Sequence, residues 1–192
     1  MTSHITSLHD DCTVRHRSLT LQAIQVIAAS FLIAFCAQIR IPLYFTPVNI
    51  TLQTLSILFI GAILGKKKGS LAVLAYLAQT CLGLPVLQGG LSDPLALIGP
   101  RGGYLIGFIA QAYIMGWGVE KLQRFSFGKT LSLTALACMT QLGCGVLWLA
   151  PFVGWNNVLL MGLYPFICGE MIKAFLVMTY LKKHDFSSNL TS

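Results

Sequence analysis

Apolar residues come in long blocks along this chain, and short polar or basic runs separate them. Residues 1–18 are polar and are expected to form a tail ahead of a first apolar block over 19–41, which stops at Pro42. That block is too long for the core of a signal peptide and lacks a convincing cleavage site, so it reads as a retained membrane span. Further blocks follow at 50–64, 69–82, 104–119, 130–150 and 165–180, the last predicted to start on Pro165, where a missing N–H costs nothing. The second and third are short against the ~20 residues needed to cross a bilayer straight. Buried apolar loops complete such helices, and residues 83–103, long, apolar and rich in Gly and Pro, fit that part. The segment 151–164 carries Trp155, a side chain suited to the membrane–water boundary. The pattern therefore predicts an all-α integral membrane protein with a six-helix domain over 19–183 and a short tail over 184–192.

The basic residues orient these spans. With six crossings, Arg15, Arg17, Lys66, Lys67, Lys68, Lys121, Arg124, Lys129, Lys182 and Lys183 share one side, and only Arg40 and Arg101 fall on the other. Such asymmetry marks the cytoplasmic face, so both termini are expected in the cytoplasm of a cell whose inner membrane holds the protein. Composition agrees: of 192 residues, 55% are hydrophobic and 10% charged, with mean hydropathy +0.73. That excludes a soluble globular domain. The formal net charge of +7 is scattered between apolar blocks, which argues for topology and against nucleic acid.

Six cysteines lie mostly inside apolar stretches with no CxxC spacing, and read as small packing residues. The four histidines sit in the tails, where nothing fixes a metal-binding geometry. Gly61, Gly65 and Lys66 have the wrong spacing for a phosphate-binding loop, and no strand precedes them. There is no HExxH, no Asp-rich pair, no GxSG and no intramembrane histidine, so neither an enzyme, a cofactor nor an ATPase is expected here.

One charged pair lies within the apolar blocks. Glu170 and Lys173 are three residues apart and share a helix face. A charge at the bilayer centre costs about 2.5–3.5 kcal/mol on insertion scales, so such residues mark a site or a structural bridge between helices. Counting about 1.5 Å per residue from Pro165 puts Glu170 one to two turns below the outer face, under the 83–103 loop. Asn49, Gln53, Arg101 and Tyr104 stand at nearby helix starts. Together they suit a polar, anionic small molecule. In the first span, Ser30 and Ala34, with Ala29 and Ala37, form small-residue stripes that admit another helix closely. That helix belongs either to this chain or to a partner.

Four motifs in order carry a resemblance: Pro47-Val-Asn-Ile-Thr-Leu-Gln-Thr54, Gly83-Leu-Pro-Val-Leu-Gln-Gly-Gly90, Gly99-Pro-Arg-Gly-Gly-Tyr-Leu-Ile-Gly107 and Gly169-Glu-Met-Ile-Lys-Ala174. They resemble the BioY family, the substrate-binding S components of energy-coupling-factor biotin transporters. The resemblance implies a six-helix S component with an outward pocket for biotin, docked on a transmembrane coupling protein and two cytoplasmic ATPases. It implies that the small-residue face of the first helix, with Ser30 and Ala34, forms the docking surface. In the pocket, Glu170 would accept from ureido N–H groups and Lys173 would donate to the ureido oxygen or neutralise Glu170. Asn49 and Gln53 would supply neutral hydrogen bonds, and Gly89 and Gly90 would let the loop close over the ligand. Three departures stand out: Glu170 replaces the family's usual Asp, Cys168 replaces a common Pro, and Arg101 adds a cation. Arg101 would hold the valerate carboxylate or face lipid head groups. An S component for another vitamin, or a facilitator working without ATPases, are the rival readings.

Overall fold

The computed structural model describes the backbone of residues 2–122 and 126–190, and the side chains of 19–122 and 126–183. Arg15, Arg17 and Arg124, the tail histidines and Cys12 lie outside the described side chains.

Helix α1 spans Thr2–Gln38. The sequence predicted an unstructured tail before residue 19, yet the helix runs through it, because no Gly or Pro interrupts the chain before Pro42. The same absence of breakers after Gly169 carries the last helix into the expected C-terminal tail. Between α1 and the next helix, the Pro-rich segment is tied by a two-residue ladder: β1 (Arg40–Ile41) pairs antiparallel with β2 (Ile50–Thr51). This small sheet is the one departure from an all-helical chain among the described residues.

Helix α2 (Gln53–Cys81) contains the predicted second and third spans as two limbs, 53–64 and 66–81, reversed at Gly65 (φ +77°, ψ 175°). The expected basic loop thus shrinks to one glycine, and Lys66, Lys67 and Lys68 form the first turn of the second limb. A reversal this tight needs small residues at the crossing. A Cβ on Gly69 would stand 3.0 Å from the Gly61 Cα, and one on Gly116 would stand 2.3 Å from the Lys66 amide nitrogen. The fold-back brings Gln53 within hydrogen-bonding distance of Tyr76 at 2.8 Å; a straight helix would separate them by about 34 Å.

Helix α3 (Gly102–Lys121) packs on α2 and on α4 (Phe127–Val153). Its contact with α4 runs along glycines. A Cβ on Gly103 would lie 2.2 Å from the Trp148 Cβ, and one on Gly107 would lie 3.0 Å from the Gln141 carbonyl oxygen. On α4, Gly145 receives the Tyr104 ring, which a Cβ there would meet at 2.2 Å. Small residues at such spacing let membrane helices approach to backbone contact. Helix α4 passes Pro151 and stops at Gly154, whose φ of +82° favours glycine at a helix end. The short α5 (Val158–Gly162) then leads into α6 (Tyr164–Leu190), with Pro165 in its first turn as expected.

The stripe of small residues on α1 finds its partner within this chain. Ser30 is fully buried and accepts a hydrogen bond from the Gln79 amide at 2.9 Å, and Ala34 lies in the core with Ile33 and Tyr76. Ser30 and Ala34, the residues expected to form a surface for a coupling protein, are thus buried within this chain, Ser30 under the second limb of α2. The opposite face of α1 exposes Ile24, Phe31, Leu32 and Phe35. Leu71, Leu147, Met171 and Ile172 continue an apolar exterior that water would not tolerate. Three stretches, 19–38, 127–153 and 158–183, are each long and apolar enough to cross a membrane.

At the turn of α2, Glu120 from the end of α3 caps the second limb. Its Oε1 accepts from the Lys66 amide at 2.9 Å, and its Oε2 pairs with Lys66 Nζ at 3.1 Å. The amide hydrogen bond, with the nearby ammonium, holds the Glu120 carboxyl below its ordinary value of 4.5. A depressed folded value means that the charged form contributes stability above the unfolded value, lost as pH falls through the lower folded one. We expect Glu120→Gln to lower the thermal midpoint at pH 7, and the gap from the parent protein to close as pH drops below 4.5, read from melting curves in detergent at graded pH.

Candidate functional site

Charge, burial and hydrogen bonding converge where α6 meets the start of α2. Lys173 Nζ lies 2.8 Å from Glu170 Oε1, one turn apart on α6 as their spacing predicted. The pair is not alone. Thr54, in the first turn of α2, donates its hydroxyl to the same Glu170 oxygen at 2.8 Å and accepts from Lys173 Nζ at 2.6 Å. The three groups close a ring that is almost wholly shielded, with Glu170 6% and Lys173 7% exposed. Low local dielectric strengthens each of these bonds and makes any unpaired member costly.

The triad forms part of the wall of a cleft that holds about 570 Å³ of space free of protein atoms, part of it open to solvent. Asn49, Gln53, Arg101, Tyr104, Glu170 and Lys173 all line it, so six of the eight residues singled out for binding are brought together. Val48, Leu105, Phe108, Leu142 and Phe166 supply the apolar wall.

The roles of those residues differ once their partners are seen. Gln53 spends both ends of its amide inside the protein: Nε2 donates to the Tyr76 hydroxyl at 2.8 Å, and Oε1 accepts from Thr51 at 3.2 Å. Tyr76, fully buried, in turn donates to the Val86 carbonyl at 3.4 Å, so Gln53 helps to anchor the 82–101 loop. Asn49 Oδ1 accepts from the Leu43 amide at 3.3 Å and holds the ladder segment in place. The Tyr104 hydroxyl donates to the Gly162 carbonyl at 2.7 Å, pinning α3 to the end of α5. Arg101 lies 3.7 Å from Asp93 on the loop and keeps its guanidinium on the cleft wall.

Gly89 and Gly90 fall outside the cleft lining; Leu87 and Gln88 of the same loop occupy it. Both glycines have positive φ, +74° and +72°, and form the tip of a turn closed by the Gly90 amide on the Leu87 carbonyl at 3.0 Å. Arg40 lies across that tip, where a Cβ on Gly89 would meet its guanidinium carbon at 2.4 Å. The loop is fastened at several points. Gln38 donates to Leu87 at 3.2 Å and Trp148 to Gly99 at 3.1 Å.

Two residues of the site escaped the sequence reading. Thr54 ends a motif that pointed to the site, yet a lone Thr in an apolar run has an ordinary helical role. Gln141, 3% exposed on the cleft wall, is the long polar side chain in the middle of the fifth apolar block. Its cost inside a membrane-grade helix was the available signal.

An apolar exterior around a charged cleft defines a membrane-embedded binding protein for a polar small molecule. Comparison with known proteins gives the family. The BioY family model matches residues 7–187. The biotin transporter BioY2 of Lactococcus lactis subsp. cremoris is 33% identical over 83% of this chain and 85% of its own. The biotin transporter BioY of Rhodobacter capsulatus is 36% identical over 76% and 82%. Among solved structures, the crystal structure of the S-component for biotin from an ECF-type ABC transporter superposes with TM-score 0.76 at 28% identity, covering 87% of this chain and 92% of that one. The chain belongs to the BioY family, and it is a multi-pass membrane protein.

The triad makes a sharp test. Lys173→Met leaves the Glu170 carboxylate buried without its cation, at a cost of about 3–5 kcal/mol. We expect that variant to melt well below the parent protein, and the double variant Glu170→Gln/Lys173→Met to recover most of the loss. Melting of the purified proteins in detergent checks this; equal midpoints for the two variants would show that charge pairing is not what the ring supplies.

Proposed function

We propose that this protein binds biotin and brings it across the cytoplasmic membrane as the S component of an energy-coupling-factor transporter. In this reading the chain crosses the membrane six times, with α1, the two limbs of α2, α3, α4 and α6. Both termini then lie in the cytoplasm. The arrangement of the basic residues supports it. The α2 turn with Lys66 packs on the end of α3 at Glu120, and Phe127 at the start of α4 lies beside Lys182 and Lys183 of α6. The cleft and the 82–101 loop occupy the other end of the bundle and open outward.

The observation that carries the substrate is what the triad leaves unspent. Glu170 Oε1 is used twice within the ring, while Oε2 is buried with no partner among the described residues. Lys173 engages two of its three protons, on Thr54 and Glu170. A free buried acceptor beside a free ammonium proton matches one N–H and the carbonyl oxygen of a cyclic urea. Glu170 stands where the family resemblance implies Asp, and the Thr54 hydroxyl fixes one oxygen of its longer side chain. Across the cleft, Arg101 meets the valerate carboxylate. Phe108, Phe166 and Leu142 cover the bicyclic body between the two polar ends.

Energy comes from outside the chain, because no phosphate-binding motif is present in it. A transmembrane coupling protein and two cytoplasmic ATPases supply it, and biotin uptake in cells with and without those proteins separates this from a facilitator working alone.

A thermal-shift panel of biotin, desthiobiotin, biotin methyl ester, riboflavin, thiamine and folate on the purified protein tests the substrate. Biotin and desthiobiotin should both raise the midpoint, and the ester, which gives Arg101 no anion, should raise it less. Stabilisation by another vitamin with none by biotin would overturn the assignment.

A further inference from the structure

A cyclic urea carries two N–H donors, and the Glu170–Lys173 pair answers only one of them. We propose that Gln141 is the second acceptor and thereby a specificity-determining residue of the site, an inference that rests on the biotin reading above.

Gln141 stands on the cleft wall, 3% exposed, and its side-chain Oε1 is fully buried with no partner among the described residues. A buried amide oxygen without a hydrogen bond is destabilising unless something in the working protein satisfies it. The other amides of the cleft whose bonds are known are committed: Gln53 to Tyr76 and Thr51, Asn49 to the Leu43 amide. Gln111 of α3 also has a buried, unpartnered Oε1, but its amide donates to the Cys138 sulfur and it is not among the residues that line the cleft.

Backbone packing puts Gln141 where it is. Its Cα would lie 3.1 Å from a Cβ on Gly107, so α4 reaches this depth only because α3 has no side chain there. Leu142, the next residue on α4, shares the wall with Glu170. Two residues of the cleft wall thus carry an orphaned acceptor each, Glu170 Oε2 and Gln141 Oε1, and Lys173 has one spare donor. That inventory is the mirror image of a urea with two donors and one acceptor, and it disfavours a ring that lacks the second N–H.

Two variants and two ligands test it: Gln141→Met, which keeps the length and removes the acceptor, and Gln141→Asn, which keeps the amide but draws it back by one methylene. Affinity is measured by titration calorimetry for biotin and for its two mono-N-methyl ureido analogues, after confirming a cooperative melt for each purified protein. Wild-type protein that does not bind biotin would sink the substrate reading itself and with it this inference. If it binds, Q141M should weaken biotin about 10- to 100-fold, the cost of leaving one buried donor unpaired. One of the two methylated analogues, and not the other, should bind wild type and Q141M alike, because its methyl already removes the donor that Gln141 accepts. Q141N should lose affinity in the same direction, and it carries the test alone if Q141M does not fold. Biotin affinity within about twofold of wild type in a folded variant, or equal losses for both analogues, would overturn the role of Gln141 while leaving biotin binding intact.

Discussion

The charged heart of the cleft is the ring of Thr54, Glu170 and Lys173. Burying one carboxylate and one ammonium in a membrane-grade helix is expensive, and the ring offsets that by giving each charge a counter-charge and a hydroxyl. Thr54 is the piece that makes the ring tertiary: it comes from the start of α2, so forming it ties the second and last predicted spans together. Since the ring occupies only one oxygen of Glu170, the other is left buried without a hydrogen-bond partner among the described residues. A structural bridge and a binding site were alternatives from sequence; the observed bridge and the proposed binding role both draw on the same three bonds.

The cleft exists because glycines let backbones meet elsewhere. Gly103 and Gly107 of α3, with Gly145 of α4, bring those two helices together until the Tyr104 ring and the Gln141 backbone take the place of missing side chains. Gly61, Gly69 and Gly116 do the same at the turn of α2. Without a hydrophobic drive between helices in lipid, such close contact is what holds a membrane bundle in register. Between α3, α4, α6 and the start of α2 the helices stay apart, and that is where the cleft lies.

The loop at 82–101 shows how a correct location need not bring a correct role. Its Gly-Pro composition placed it beside the charged pair, and Leu87 and Gln88 do line the cleft. Gly89 and Gly90 make the turn that lets Arg40 lie across the loop tip, and Gln53 and Tyr76 anchor the chain beneath it. Glycines report where a backbone must bend or be approached, not which way the bend faces.

Local pattern is enough to set the apolar blocks, the neighbourhood of Glu170 with Lys173 and the family motifs, because each depends on spacing along one helix or on composition. It also identifies six residues of the cleft, since helix starts at one end of a bundle must lie near one another. Tertiary structure alone decides what depends on the distance between helices. It turns the face with Ser30 and Ala34 inward onto α2, recruits Thr54 from across the bundle, and leaves Gln141 unpaired at the wall. A one-dimensional pattern marks which residues are costly to bury; only the packed bundle shows which of those costs are met within the chain and which are left for a ligand.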